Sequence, residues 1–165
     1  MKILFVCTAN ICRSVISEAV FQKIVSEENL GLLMNTESAG TESLVGMTPN
    51  ESTVEVCAEH GLDVRKHRSQ QLSREMLEQA SIIFCLAETH REVINGAFPQ
   101  FKSKVALLKE FGQPNLPSNL SVDDPVGKPK KNYDICYAEI EQELRRIFPL
   151  IKSAAMKEKH HRTSS

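Results

Sequence analysis

The sequence has no long apolar run and no segment typical of a secretion signal. No apolar stretch in its 165 residues approaches the roughly 20 residues that a membrane-spanning helix requires. The apolar start, residues 1–6, is too short for a signal-peptide core and is followed at once by the polar Thr8 and Asn10. These absences predict a cytoplasmic protein with no membrane partner.

Paired cysteines and an excess of one charge are also missing. The five cysteines are an odd number without the paired spacing of a zinc site, so we expect reduced thiols, no disulfide framework and no bound metal. The formal net charge of −1 predicts no general attraction to nucleic acid or anionic lipid. With 41% hydrophobic and 25% charged residues, the composition is that of a soluble globular domain.

The length predicts a single domain with one core. We assign residues 1–152 to this domain. From Ser153 onward the residues become small, polar and basic, so residues 153–165 are predicted to form a disordered basic tail.

Short apolar runs alternate with amphipathic segments along the chain. Residues 82–87 are apolar throughout, which is typical of a strand buried on both faces of a parallel sheet. Further strands are predicted over 3–6, 35–38 and 105–108, and helices over 14–27, 49–60, 72–80 and 132–151. Strands that alternate with helices in this way indicate parallel βαβ units.

Two helix starts carry capping signals, and one connection is unusually long. Thr48 and Glu51 have the spacing of a capping box, with Pro49 at the first helical position, and Ser73 is the predicted cap of the shorter helix over 72–80. Residues 112–129 contain four prolines and are predicted to form a loop. Connections of this length are usually functional or disordered.

A cysteine and an arginine flank the loop between the first strand and the first helix. Loop amides and the helix N-terminus converge there on one point, where unpaired N–H groups favour an anion. The arginine adds a planar fork of donors that can hold two phosphate oxygens at once. We therefore predict a phosphate-binding loop that follows Cys7 and consists of Thr8, Ala9, Asn10, Ile11, Cys12, Arg13 and Ser14.

The same positive field stabilises a thiolate, so Cys7 is the predicted nucleophile and Arg13 its catalytic partner. Ser14 can donate its hydroxyl to the sulfur. At a random position, a cysteine followed by five residues and an arginine would more often be a buried strand cysteine and a solvated arginine. Its place between a strand and a helix, with an Asp-Pro pair far downstream, favours catalysis.

Four segments of the chain resemble the low-molecular-weight protein tyrosine phosphatase family. They are residues 7–14, 38–41, 67–69 and 124–125, and the resemblance runs from Met1 to about residue 148. With the alternating strands and helices, it implies an α/β fold: a flavodoxin-like doubly wound four-stranded parallel sheet with helices on both faces. It also implies a cofactor-free phosphomonoester hydrolase that acts on phosphotyrosine in protein and releases inorganic phosphate.

A phosphatase of this kind needs a carboxylic acid over the leaving oxygen. Asp123 and Asp124 both lie in the proline-bounded loop, and the residues alone leave both open, as well as a plain solvated turn. In the family the residue directly before proline is the acid, so the resemblance implies Asp124. The implied mechanism forms a phosphocysteine on Cys7, which a water activated by Asp124 then hydrolyses.

A hydrogen-bond network is predicted to stiffen the phosphate loop, and it comprises Asn10, Ser14, Ser38 and His67. Asn10 suits a left-handed backbone conformation, and Gly40, after the second strand, permits a positive φ. Only the resemblance assigns Ser38 and His67 to the network; His90 has no such support. Cys12 is close enough in sequence to Cys7 for a protective disulfide, or it is a small buried residue facing the sheet.

Three positions depart from the family pattern: Ala9, Val15 and Val126 stand where glycine, proline and an aromatic residue are common. An aromatic residue after Asp-Pro would flank a phosphotyrosine ring, and this chain has no tryptophan. The predicted pocket rim is instead aliphatic and consists of Ile11, Leu44, Val45 and Val126. Ile11 resembles the tyrosine-phosphatase branch, since the protein-arginine phosphatase branch carries threonine there.

Three alternatives to a tyrosine phosphatase stay open: a protein-arginine phosphatase, an arsenate reductase and a non-catalytic phosphate-binding module. Residues 123–128 resemble the reductase branch. Thioredoxin-coupled reductases, however, use two further cysteines at and just after the end of the third strand, where this chain has Ala87 and no cysteine through Phe98. The presence of Cys7, Arg13 and Asp124 together argues against an inactive module.

Overall fold

The strands form one parallel sheet in the order β2-β1-β3-β4. A computed structural model describes residues 1–163, and residues 160–163 by their helical backbone alone. The strands are β1 (Lys2–Cys7), β2 (Asn35–Gly40), β3 (Ile82–Cys85) and β4 (Val105–Leu107). The helices are α1 (Arg13–Glu27), α2 (Glu51–Glu59), α3 (Arg74–Gln79), α4 (Glu88–Ala97) and α5 (Lys130–Thr163), with a 3₁₀ helix over Pro99–Lys104 before β4.

The central strand β1 is buried on both faces because consecutive side chains point to opposite sides of the sheet. Ile3 and Phe5 join a core that α1, α2 and α5 cover. Leu4 and Val6 join a second core under α3, α4 and the 3₁₀ helix. Helices therefore cover both faces, and the predicted doubly wound parallel fold is confirmed.

The parallel register brings the ends of three strands to one edge of the sheet. Cys7 at the end of β1 lies opposite Gly40 at the end of β2, and Val6 lies opposite Cys85 at the end of β3. The loops that follow these strands consequently meet at the same edge, where ligands bind in open α/β sheets.

The predicted capping box at Thr48 is wrong. Helix α2 is capped by Asn50, whose side chain accepts from the backbone N–H of Thr53 at 2.8 Å. The Asn50 amide nitrogen also donates to the hydroxyl of Tyr133 at 2.8 Å. A tertiary contact with α5 therefore places the helix start two residues later than the local pattern predicts. The predicted cap at Ser73 is confirmed, since its hydroxyl accepts from the Met76 N–H.

Helix α5 is longer than predicted, and α4 is not predicted at all. The sequence predicts that the last helix ends near residue 151 and that residues 153–165 form a disordered tail, whereas the helix continues to Thr163. Ala155 is buried one turn beyond Ile151, and the Glu158 carboxylate lies 4.0 Å from the N-terminal amine. Residues 164–165 of that predicted tail lie outside the described residues. Among the described helices, none is long and apolar enough to cross a membrane.

Candidate active site

Cys7 is the last residue of strand β1, and its thiol lies at the start of helix α1. The Cys7 Sγ lies 3.0 Å from the Ser14 Oγ, and both residues are buried. Cys12 is the N-cap residue of α1 but its side chain does not cap the helix. The first amides of the helix are thus left for a bound anion. We call residues 7–14 the thiol loop.

Asn10 fixes the thiol loop from its centre. Its backbone has a positive φ of 56°, as predicted, and its amide nitrogen donates to Ser14 at 2.8 Å and to Ser38 at 2.9 Å. The His67 ring nitrogen Nε2 lies 3.0 Å from the Asn10 carbonyl oxygen. The structure therefore brings the four predicted network residues together.

Sequence reasoning missed two members of this network. The Ser38 hydroxyl donates to the Glu18 carboxylate at 2.6 Å, and the Gln70 N–H donates to the Asn10 side-chain oxygen at 2.9 Å. Burial raises the pKa of Glu18, with a smaller opposing effect from the Ser38 hydrogen bond. The sequence signal that could have indicated Glu18 is its spacing of four residues from Ser14, which places both residues on the same face of the predicted helix.

Gly40 is required for a reason other than the predicted positive φ, which it does not have. A Cβ at this position would lie 2.4 Å from the Thr8 carbonyl oxygen and 2.8 Å from the Cβ of Ser43. The next two backbone amides donate to the carbonyl oxygens of Cys7 and Thr8, both at 2.9 Å. The glycine therefore lets the two loops approach closely enough to pair.

Asp124 reaches the thiol loop through Arg13. The Arg13 Nη2 lies 2.6 Å from the Asp124 Oδ2, and Nη1 donates to the Val122 carbonyl oxygen at 3.2 Å. Asp124 keeps 46% of its side chain exposed and also accepts from the N–H of Val126. Its rival Asp123 is exposed and lines a neighbouring groove that Asp124 also borders, but it does not line the cavity that contains Cys7. We call residues 112–129 the acid loop.

The two loops enclose a cavity of about 230 Å³. Its walls are Cys7, Thr8, Ala9, Ile11, Cys12, Arg13, Asp124 and Val126. Leu44 and Val45, predicted for the rim, do not line it and are about three-quarters exposed. A larger cavity of about 520 Å³ lies between α1 and β2, where no acid, base or thiol lines it. The smaller cavity is therefore the candidate active site.

Cys12 is a buried free thiol, as is every other cysteine. A hydrogen bond from the Cys136 thiol lowers the pKa of Cys12 and raises the pKa of Cys136. The disulfide between Cys7 and Cys12 stays a hypothesis.

His90, which sequence reasoning left without a role, contacts the thiol loop. Its Nε2 lies 3.0 Å from the Thr8 hydroxyl, although the two residues are far apart in sequence. Helix α4, which carries His90, was not predicted, so no sequence signal placed this side chain at the site.

Comparison with known proteins agrees with this geometry. The family model described as "Low molecular weight phosphotyrosine protein phosphatase" matches residues 2–162. A protein-arginine-phosphatase from Bacillus subtilis is 32% identical over 92% of this chain and 97% of its own length. A low molecular weight phosphotyrosine protein phosphatase from Rattus norvegicus is 30% identical over 84% of this chain and 87% of its own.

Solved structures show the same fold. A crystal structure of a YwlE mutant from Bacillus subtilis superposes with a TM-score of 0.85 at 30% identity, over 92% of this chain and 99% of the other. A low molecular weight protein tyrosine phosphatase from T. tengcongensis superposes with a TM-score of 0.83 at 28% identity, over 90% and 98% of the two chains.

Proposed function

The chain belongs to the low molecular weight phosphotyrosine protein phosphatase family, and from this membership we propose that it hydrolyses phosphotyrosine in proteins with Cys7 as the nucleophile. One observation carries the proposal. The thiol of Cys7, the guanidinium of Arg13 and the carboxylate of Asp124 line a single cavity at the N-terminus of a helix. Nucleophile, anion clamp and acid are thus within reach of one phosphoryl group.

In the first step the Cys7 sulfur attacks phosphorus. The S–P bond forms as the ester P–O bond breaks, and Asp124 gives its proton to the departing oxygen. Charge on the three equatorial oxygens of the transition state is held by the thiol-loop amides and by Arg13. This step leaves a phosphocysteine.

In the second step a water molecule attacks the phosphocysteine and Asp124 takes its proton. Inorganic phosphate leaves, and the Ser14 hydroxyl donates a hydrogen bond to the departing Cys7 thiolate. The Asn10 amide donates to the Ser14 oxygen, so the hydroxyl proton of Ser14 is free for the sulfur 3.0 Å away. The network around Asn10 therefore supports the leaving thiolate as well as the loop.

Substrate must separate Asp124 from Arg13 before the acid can act. In the unliganded site the guanidinium holds that carboxylate at 2.6 Å. Phosphoryl oxygens compete for the same donors, because a guanidinium binds phosphate in bidentate fashion. Phosphoryl binding thereby releases Asp124 toward the leaving group, and a proton taken up from solvent or from the bound phosphate monoester makes it the acid of the first step.

The walls of the cavity support a phosphotyrosine substrate. Ile11 and Val126 supply apolar surface beside the phosphate site, and such surface suits a phenyl ring. A second candidate substrate is phosphoarginine, which the similarity to the Bacillus subtilis protein-arginine-phosphatase favours. Ile11 favours the tyrosine substrate, since the arginine-phosphatase branch is expected to carry threonine there.

A thioredoxin-coupled arsenate reductase would need two further thiols at and just after the end of β3, in addition to Cys7 and Cys12 on the cavity wall. Cys85, at the end of β3, does not line the cavity, and burial raises its pKa to about 12. The buried free thiols suit the reducing cytoplasm that we propose as the protein's location.

The test is phosphate release from two peptides of the same sequence, one with phosphotyrosine and one with phosphoarginine, under reducing conditions. We expect release from the phosphotyrosine peptide that disappears in the Cys7→Ser variant. A preference for phosphoarginine would keep the mechanism and replace the substrate. No Cys7-dependent release from either peptide would overturn the proposed function.

A further inference from the structure

His90 is the one buried histidine among the described residues, and the mechanism above does not use it. It is 2% exposed and lies near the start of helix α4 with its Nε2 3.0 Å from the Thr8 Oγ1. Thr8 is the residue directly after the nucleophile and lines the cavity. The histidine therefore contacts the site through a threonine hydroxyl.

His90 is neutral under physiological conditions. Burial lowers its pKa to about 4, and the nearby Arg13 guanidinium acts in the same direction while Asp124 opposes it. A neutral imidazole carries its proton on one ring nitrogen only. The tautomer decides which of the two hydrogen-bonding groups, imidazole or hydroxyl, is the donor.

The environment of the second ring nitrogen selects the tautomer. The Nδ1 of His90 is buried and has no hydrogen-bond partner in the described part of the chain. A buried N–H without an acceptor is rarer in proteins than an acceptor without a donor, so Nδ1 carries the lone pair and Nε2 the proton. Nε2–H then donates to the Thr8 oxygen.

From this arrangement we infer that His90 is a positioning residue that directs the hydroxyl proton of Thr8 into the cavity, toward an oxygen of the bound phosphoryl group. Because the Thr8 oxygen accepts from His90, its own proton points elsewhere, and Thr8 lines the cavity. Two hydroxyls of the thiol loop are thus oriented by hydrogen bonds that they accept. Asn10 orients the Ser14 hydroxyl toward the Cys7 sulfur, and His90 orients the Thr8 hydroxyl toward the phosphoryl oxygens. The inference rests on the proposed phosphoryl site.

The first test reads the tautomer directly. Long-range ¹H–¹⁵N NMR correlations of the wild-type imidazoles at neutral pH should show His90 protonated on Nε2 alone. Protonation on Nδ1, or a doubly protonated ring, would overturn the inference. This readout does not depend on hydrolysis, so it stands even if the proposed function fails.

The second test uses substitutions that keep or remove the donor. The amide nitrogen of His90→Gln can replace Nε2, whereas the shorter His90→Asn cannot reach Thr8. Loss of one hydrogen bond to a charged phosphoryl oxygen should weaken inorganic phosphate binding and kcat/KM about tenfold or more in His90→Asn and in Thr8→Val. His90→Gln should stay within about threefold of wild type, by the same scale.

A double-mutant cycle separates positioning from a structural role. If His90 acts through the Thr8 hydroxyl, His90→Asn should have almost no further effect on phosphate binding in the Thr8→Val background. Additive losses, or an unchanged phosphate affinity in His90→Asn, would overturn the inference. If His90→Asn does not fold, Thr8→Ser, which keeps the hydroxyl, is compared with Thr8→Val, which removes it. Equal phosphate affinity in these two variants would contradict the inference. Calorimetric titration with inorganic phosphate gives these affinities whether or not the protein hydrolyses phosphotyrosine.

Discussion

The two loops that form the cavity are held in opposite ways. The thiol loop is held by buried polar side chains, with Asn10 hydrogen-bonded to Ser14, Ser38 and Gln70. The carboxylate of the acid loop is half exposed, and its contacts are the Arg13 ion pair and one amide of its own turn. The thiol loop is preorganised, whereas the Asp124 carboxylate of the acid loop is held largely by a group that substrate would bind instead.

This difference matches the two tasks of a phosphatase. Donors that stabilise developing charge are most effective when they need no rearrangement during the reaction, which favours a rigid thiol loop. A general acid must reach the leaving group once substrate is bound, so a carboxylate that substrate can displace is suitable. Variants of either loop test this contrast.

Removing the nucleophile of the thiol loop should have the largest effect. We expect Cys7→Ser to lower kcat for phosphotyrosine peptide by on the order of 10⁴-fold or more, because a serine hydroxyl at this place has no base to activate it. Inorganic phosphate should still bind, as titration calorimetry would show. Residual turnover within tenfold of wild type would contradict the role of Cys7.

Removing the carboxylate of the acid loop should have the next largest effect. Asp124→Asn is expected to lower kcat by about 10²–10⁴-fold, and Asp123→Asn is the matched control because Asp123 does not line the cavity that contains Cys7. Steady-state kinetics with a phosphotyrosine peptide would measure both. Equal losses in the two variants would refute the assignment of Asp124.

The close packing behind the thiol loop can be broken at Gly40. The Cβ of Gly40→Ala would lie 2.4 Å from the Thr8 carbonyl oxygen, and overpacking of this kind costs about 1–3 kcal/mol of unfolding free energy. Gly31→Ala is the control, since nothing lies within 4 Å of its Cβ position. Urea unfolding compares the variants, and equal midpoints would contradict the packing argument.

An aromatic side chain on the acid loop should strengthen the binding of a phosphotyrosine substrate. Val126→Tyr places a ring on the cavity wall, and aromatic pairing of about 0.5–1.5 kcal/mol would raise kcat/KM for phosphotyrosine peptide about two- to tenfold. Leu44→Tyr adds the same ring outside the cavity and should change little. An equal gain in both variants would argue against Val126 as a wall.

The smallest effect is expected beneath the thiol loop, at Glu18. Burial raises the pKa of Glu18, so the folded protein binds more protons there than the unfolded chain. Its contribution to stability therefore falls as pH rises above the unfolded pKa of about 4.3 and stays low above the folded pKa. Glu18→Gln should raise the Tm at neutral pH and leave it unchanged below about pH 4. A gain of equal size at both pH values, by calorimetry, would contradict this origin.

Local sequence patterns were sufficient for the strands, for the cap at Ser73 and for the left-handed Asn10, because each depends on neighbours within a few positions. They failed where distant groups compete. Asn50 caps α2 in place of Thr48 while donating to Tyr133 on α5, and α5 continues past residue 151 where Ala155 is buried. The 3.6-residue periodicity of a helix predicts neither the hydrogen bond between Asn50 and Tyr133 nor the burial of Ala155.

The order of residues alone was enough to predict the family and the parallel fold and to propose the reactive groups, since Cys7, Arg13 and the Asp-Pro pair can be read directly from the chain. The tertiary structure was needed to find the side chains that pack behind these groups. Glu18, Gln70 and His90 reach the thiol loop from three different elements. Their hydrogen bonds depend on the parallel register that brings the strand ends together, and no local spacing in the chain encodes that proximity.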